Sequence, residues 1–159
     1  MNDDRSIDFD MVDIQKCQRN RYPLLFIDKV TVFPDGEKVR AEAVKNFTFN
    51  EWYMPAHFDD DPNVPGFVQT ECLVQTFLMT FLYRDELRGK KTSFLDMNNV
   101  KFRRKLIPGD QLRIVAVLDS YRRGIARGHV ESFVGEESAV SADYVVCVPD
   151  VMSQFRPTR

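Results

Sequence analysis

Residues 65–87, PGFVQTECLVQTFLMTFLYRDEL, hold the reading on which the fold turns. Pro65 has its φ fixed near the value of a first helical turn, no proline or glycine follows Gly66 until Gly89, and Gly89 stands where a C-terminal cap belongs. The stretch predicts one helix of about 30 Å. Phe67, Val68, Cys72, Leu73, Val74, Phe77, Leu78, Met79, Phe81 and Leu82 cover far more than one stripe of it, whereas a helix lying on a protein surface keeps a polar face. Such a helix needs cover on most sides.

The neighbouring segments supply that cover. After the helix come four β-rich segments, 94–102, 111–120, 125–134 and 138–148, separated by Pro108-Gly109-Asp110, Arg123-Gly124 and Gly135-Glu136; turn signals at this spacing predict an antiparallel meander. Before it, 24–33 reads as a buried strand that turns at Asp35-Gly36 into a partner over 37–45, and 11–20 reads as a short helix capped by Asp8 or Asp10. The aromatic-rich but aperiodic stretch 46–62 is predicted to be a structured loop. One apolar helix with about six strands makes an α+β hotdog fold, a curved antiparallel sheet wrapped around one long central helix. Its open edge predicts edge-to-edge pairing into a homodimer.

At 159 residues the chain is a single domain over 1–159, with 1–10 and 149–159 expected as loose tails. A composition of 43% hydrophobic and 29% charged residues excludes disorder. The 22 basic and 24 acidic side chains give a net charge of -2, so net charge offers no attraction to nucleic acid or anionic lipid, and the aromatics pattern as core rather than as a stacking platform. Binding to nucleic acid is not expected. The longest apolar runs fall well short of the roughly 20 residues of a membrane span, and Asp3, Asp4, Asp8 and Asp10 stand where a secretory signal would be basic and then apolar. A cytoplasmic protein with no membrane segment is expected. Cys17, Cys72 and Cys147 are odd in number and without CxxC spacing, which fits reduced, buried thiols.

Two proton-transfer groups stand fourteen residues apart, His57 in the aperiodic loop and Glu71 in the helix, with Pro65-Gly66 between them. A carboxyl among Val68, Cys72, Leu73 and Val74 loses hydration, its pKa rises, and it becomes a proton donor at neutral pH. Gly66, at the helix start, offers an N–H without an intrahelical partner and no side chain to block a ligand oxygen. Helix start, base and acid together suit proton abstraction beside a carbonyl. The bland alternative, a hydrogen-bonded loop histidine and a helix-surface glutamate, stays open on these residues alone.

These positions also carry a resemblance. Arg21-Tyr22-Pro23-Leu24-Leu25-Phe26-Ile27-Asp28-Lys29-Val30 is similar to RYPFLLVDRV, and His57-Phe58, Pro62, Pro65-Gly66, Glu71 and Gln75 stand at the intervals of HFPxxPxMPGVLxxEALAQ. Lys45-Asn46, Asn50-Glu51, Phe102-Arg103-Arg104, Ile107-Pro108-Gly109-Asp110-Gln111 and Arg122-Arg123-Gly124 extend the likeness from about residue 13 to 148. The chain resembles the 3-hydroxyacyl-(acyl-carrier-protein) dehydratases of the FabZ type. The resemblance implies a hotdog homodimer, often a trimer of dimers, with each site built from His57 of one chain and Glu71 of the other. It implies loss of water from a (3R)-3-hydroxyacyl chain, tethered by phosphopantetheine to acyl carrier protein, to give the trans-2-enoyl thioester without metal or other cofactor. His57 would take the C2 proton, Glu71 would act on the 3-hydroxyl, the Gly66 N–H would polarise the thioester carbonyl with Pro65 beside it, and Gln75 would orient Glu71 or simply fill a helix gap. FabA-type isomerases carry Asp where this chain has Glu71, and MaoC-type hydratases have an Asp where it has Trp52. A hotdog thioesterase and a non-catalytic acyl-chain or carrier-binding module are the alternatives.

Two features qualify the likeness. Asp59-Asp60 stands where the family has Pro-Gly after His-Phe, and Asp61 follows; carboxylates within about 4 to 6 Å would favour the imidazolium, whereas facing solvent or the helix start they would not. A hard-cation site of His57 with these aspartates is a weaker alternative. Lys101, Arg103, Arg104 and Lys105, joined by Arg122, Arg123 and Arg127, either cluster to dock an acidic carrier protein or are solvated strand ends. His129 is read as structural.

Overall fold

The computed structural model describes residues 5–157. Its elements are β1 (Ile7–Phe9), α1 (Met11–Cys17), β2 (Lys29–Asp35), β3 (Lys38–Asn46), α2 (Gly66–Leu82), β4 (Ser93–Phe102), β5 (Gln111–Arg122), β6 (Ile125–Val134), β7 (Glu137–Cys147) and α3 (Pro149–Met152), closed by a 3-10 turn at Ser153–Phe155. Seven strands form one antiparallel sheet in the order β1-β2-β3-β5-β6-β7-β4. This is the expected α+β hotdog architecture, with one strand more than the sequence indicated. Among the described residues no helix is long and apolar enough to cross a membrane.

Three expectations are corrected. The predicted meander holds for β5, β6 and β7, but β4 lies at the far edge, paired with β7 and not with β5. The 24–33 segment becomes a strand only from Lys29. Its first part is apolar enough to read as a buried strand, but it crosses α2, where the Phe26 N–H donates to Gln75 Oε1 (2.9 Å) instead of to a neighbouring strand. The ends of the chain are more ordered than loose tails: residues 7–9 pair with β2, and 149–155 form α3 and its 3-10 turn. Residues 1–4 and 158–159 of those tails lie outside the described residues.

Helix α2 packs across β5, β3, β6 and β7 on one side and against α1 on the other, so every residue from Cys72 to Leu82 is buried. That two-sided cover is why its sequence shows no polar stripe. The closest approach is at Gly128 on β6, where a Cβ would collide with the Val117 carbonyl and the Phe77 ring. The missing side chain lets the helix lie directly on the strand. The helix ends at Leu82, earlier than Gly89 suggested; residues 83–90 make irregular turns in which the Gly89 N–H donates to the Cys17 carbonyl (2.9 Å). At the N-terminus, Asp10 caps α1 by accepting from the Asp13 N–H (2.9 Å).

Candidate active site

The loop between β3 and α2 carries His57. Consecutive turns tie Glu51 N–H to Thr48, Met54 N–H to Glu51 and His57 N–H to the Met54 carbonyl, while Tyr53 and Met54 are buried beneath. A nearly buried ion pair, Lys45 Nζ to Glu51 Oε1 at 2.6 Å, fastens the loop to β3. His57 Nδ1 lies 3.1 Å from the Asn63 carbonyl oxygen, and the Asn63 N–H donates back to the His57 carbonyl at 2.9 Å. A carbonyl only accepts, so Nδ1 carries the proton and Nε2 of the neutral ring is left as the basic nitrogen. The Phe58 ring stacks on the imidazole at 4.2 Å.

His57 opens onto a cleft of about 420 Å³ that Gly66, Gln69, Phe102, Arg103, Arg104 and Lys105 also line. Gly66 is the first residue of α2, after Pro65 as N-cap, and its N–H has no acceptor among the described residues. The Phe102 ring stands 3.3 Å from where a Gly66 Cβ would be, so any larger residue there would push the half-exposed ring aside by a few tenths of an ångström.

Glu71 lies five residues further along α2 and faces a different, smaller cleft of about 220 Å³, with Asn20, Val74, Leu78, Phe94 and Val146. Burial pushes its carboxyl above the usual carboxylate range, and a hydrogen bond from Gln75 offsets part of that shift. Gln75 Nε2 donates to Glu71 Oε1 (2.9 Å) and to the Leu24 carbonyl (2.6 Å), while its Oε1 accepts from the Phe26 N–H. Each donor and the acceptor of this fully buried amide is thus engaged. Of the two readings of Gln75, the hydrogen bond to Glu71 is the one observed.

Within one chain His57 and Glu71 therefore line separate clefts. The other predicted residues divide similarly. Arg103, Arg104 and Lys105 line the His57 cleft, but Arg122 and Arg123 sit at the opposite end of β5, which at about 3.3 Å per residue is more than 30 Å from Gln111. The basic residues do not form one patch in a single chain. Arg104 pairs with Glu137 (2.9 Å) and Asp110 (3.4 Å), Lys105 pairs with Asp61, and Arg123 lies over the Phe155 ring. No carboxylate of the aspartate run forms an ion pair with the imidazole among the described residues: Asp61 meets Lys105, and Asp59 accepts from the Asp60 N–H.

Sequence reading missed several contacts. The Asn63 carbonyl that fixes the His57 tautomer and the Phe102 ring against Gly66 have no signature at the level of single residues. His129 does have an acid partner: its Nδ1 is 2.6 Å from Asp143 Oδ1, and Asn99 Nδ2 donates to the other oxygen of that carboxylate. Those hydrogen bonds, Asn99 first, hold the Asp143 carboxyl below the usual range. Counting strand partners outward from the Gly135-Glu136 turn would set His129 opposite Ala142; a register shift between Glu131 and Phe133 brings Asp143 there instead, and no residue pattern marked that shift. Several aromatics expected in the core are also about half exposed, including Trp52, Phe58, Phe67 and Phe102.

Comparison with known proteins identifies the family. Residues 19–143 match the model of the FabA-like domain. The 3-hydroxyacyl-(acyl-carrier-protein) dehydratase FabZ of Alkaliphilus metalliredigens is 37% identical over 131 residues, 82% of this chain and 88% of that protein. That of Clostridium kluyveri is 33% identical over 144 residues, 91% of this chain and 99% of the relative. Among solved structures, the dehydratase heterocomplex ApeI:P of Xenorhabdus doucetiae superposes with a TM-score of 0.71 at 13% identity, covering 89% of this chain and 95% of that one. The E. coli PaaI protein gives 0.56 at 11% identity over 74% and 82%; both show the fold alone. With a family model matching most of its length and curated relatives above 30% identity, the chain belongs to the FabA-like dehydratase family.

Proposed function

We propose that the protein dehydrates (3R)-3-hydroxyacyl thioesters carried on acyl carrier protein to trans-2-enoyl thioesters, in the cytoplasm, for fatty acid or related acyl biosynthesis. The observation that carries the reading is a histidine whose Nε2 is left free by the Asn63 carbonyl, sharing its cleft with the unpaired Gly66 N–H, on a chain whose next cleft holds a carboxyl with a pKa raised by burial. These are a base, an acid and an oxyanion donor.

Two clefts become one site when two chains meet. Strand β4 ends the sheet with an unpaired outer edge and shows Phe94, Leu95, Met97 and Phe102 each at 42% to 53% exposure. An apolar open edge of this kind is a template for a second strand, and a two-fold dimer along β4 joins two sheets into one. In that assembly His57 of one protomer works with Glu71 of its partner, and three such dimers can associate further.

The chemistry then balances. The Gly66 N–H donates to the thioester oxygen as negative charge develops there. His57 Nε2 takes the C2 proton, the C–H electrons form the C2–C3 double bond, and the C3–O bond breaks. Glu71, whose hold on a proton is strengthened by burial, enters as the acid and gives its proton to the departing hydroxyl, which leaves as water. Proton transfer from the imidazolium to the carboxylate resets the pair. Gln75 positions the carboxyl, and Pro65 starts the helix at the residue whose N–H is needed.

The test is hydration of a crotonyl thioester, followed as loss of enoyl absorbance. His57→Ala and Glu71→Gln are each expected to lose about 100-fold or more with unchanged folding. Full activity in either variant would sink the assignment, and acyl-thioester binding by a wild type without turnover would favour the binding module.

A further inference from the structure

The cations of the His57 cleft are not equally available. Arg104 is mostly buried against Asp110 and also reaches Glu137, so its charge is committed to the fold. Arg103 has no carboxylate partner among the described residues; its Nη1 donates to the Ser141 hydroxyl (2.8 Å). Lys105 differs from both. Its ammonium lies between the two carboxylate oxygens of Asp61, in a pair that is about half exposed on each side. Asp61 closes the acidic run that begins with Asp59-Asp60, the two residues that stand where the family has Pro-Gly.

An exposed ion pair contributes little to folding, but it changes the field a charged partner meets. We infer that Asp61 is a partner-selecting residue, which masks Lys105 at the mouth of the His57 cleft from an acidic carrier protein and leaves Arg103 as the cation free to receive that partner. The inference rests on the proposed dehydratase reading for the identity of the partner. It implies a carrier whose docking face is less acidic than one that would use both cations.

A double-mutant cycle tests it. Crotonyl groups are presented in two forms, on the phosphopantetheine arm of a strongly acidic carrier protein and as the carrier-free N-acetylcysteamine thioester. Asp61→Asn is expected to raise kcat/KM for the carrier-bound form about fivefold at low salt through KM, with the gain fading as salt screens the field. The carrier-free rate should stay within about twofold, since the field matters to docking and not to the reacting atoms. Lys105→Met alone should lower the carrier-bound kcat/KM by a similar factor at low salt, because it leaves the Asp61 carboxylate uncompensated at the cleft mouth, and Asp61→Asn with Lys105→Met should show no gain over the wild type. Asp61→Ser serves where the first variant folds poorly. A gain over the wild type that survives loss of Lys105, no gain at all, or equal changes on both substrates would overturn the inference. Anisotropy titration of labelled carrier reads the same cycle without turnover. An inactive wild type whose Asp61→Asn variant binds carrier more tightly would defeat the dehydratase reading and leave the mask standing; absence of carrier binding in every variant defeats the mask, whatever the carrier-free rate.

Discussion

The loop that carries His57 and the helix that carries Glu71 solve opposite problems. His57 is half-buried at the wall of an open cleft, and what holds it is main chain, the Asn63 carbonyl on Nδ1. Glu71 is set in an apolar helix, and what holds it is a side chain, Gln75, itself fixed to the main chain of Leu24 and Phe26. A carbonyl can select a tautomer without adding charge, which keeps a neutral ring basic at Nε2. A neutral amide steadies a carboxyl while leaving burial to raise its pKa. Under the proposed function, these two environments divide the roles of base and acid before any substrate arrives.

The sharpest way to break this comparison is to ask whether the two regions act across subunits. His57→Ala and Glu71→Gln homodimers are each expected to be inactive, whereas mixing them with subunit exchange creates dimers in which one site has both wild-type groups. Random exchange should restore about a quarter of the wild-type sites if the dimer is two-fold with shared sites. No recovery, with exchange verified by mass, would place both groups of a site in one chain.

The anchors of the two regions can be compared next. Lys45→Met leaves Glu51 nearly buried without its cation, which should cost about 3 to 5 kcal/mol and loosen the loop beneath His57. Denaturant unfolding reads the loss, and restoring most of it with Lys45→Met plus Glu51→Leu would assign it to the stranded charge. Gln75→Leu should cost less, about 1 to 3 kcal/mol for the buried Phe26 N–H left without its acceptor, since Leu24 is exposed and its carbonyl can turn to water. It also removes the hydrogen bond that lowers the Glu71 pKa, so the Glu71 limb of the pH–rate profile should move to higher pH. A limb that stays in place would mean that Gln75 supports the fold and not the carboxyl.

What was legible in the sequence follows the reach of each interaction. Gly66, Glu71 and Gln75 sit on one helix, so their spacing alone states their geometry: residues four apart meet, as Glu71 and Gln75 do at 2.9 Å. The fold class was legible for a similar reason, since an all-round apolar helix demands cover. The position of β4 was not, because alternation identifies a strand and says nothing about which edge it joins. The 24–28 segment was misread as strand because an apolar run looks alike whether its amides meet a strand or a glutamine side chain. The Lys105 to Asp61 pair bridges 44 residues and the His129 to Asp143 pair a hairpin, distances over which residue type carries no signal without the register. Arg122 and Arg123 were grouped with Arg103 although the length of the intervening strand already set them apart.

The smallest expected effect bears most directly on the contrast between a wet base and a dry acid. The folded chain holds the Glu71 proton to higher pH than the unfolded chain does, because burial disfavours the carboxylate. Between the unfolded and folded pKa values the native state therefore binds more protons, and stability falls as pH rises through that interval. Glu71→Gln keeps the shape and removes the titration, so it should melt above the wild type at pH 8 while being catalytically dead. The gap should close as pH falls below 4.5, the ordinary pKa of a glutamate, where the wild-type carboxyl becomes protonated in both states. A Glu71→Gln protein that melts at or below the wild type at pH 8 would mean that in the assembled dimer the carboxylate is stabilised by a donor or a cation from the partner. In that case Glu71 could not enter the reaction protonated, and its role would shift from acid to holder of the water that the 3-hydroxyl becomes.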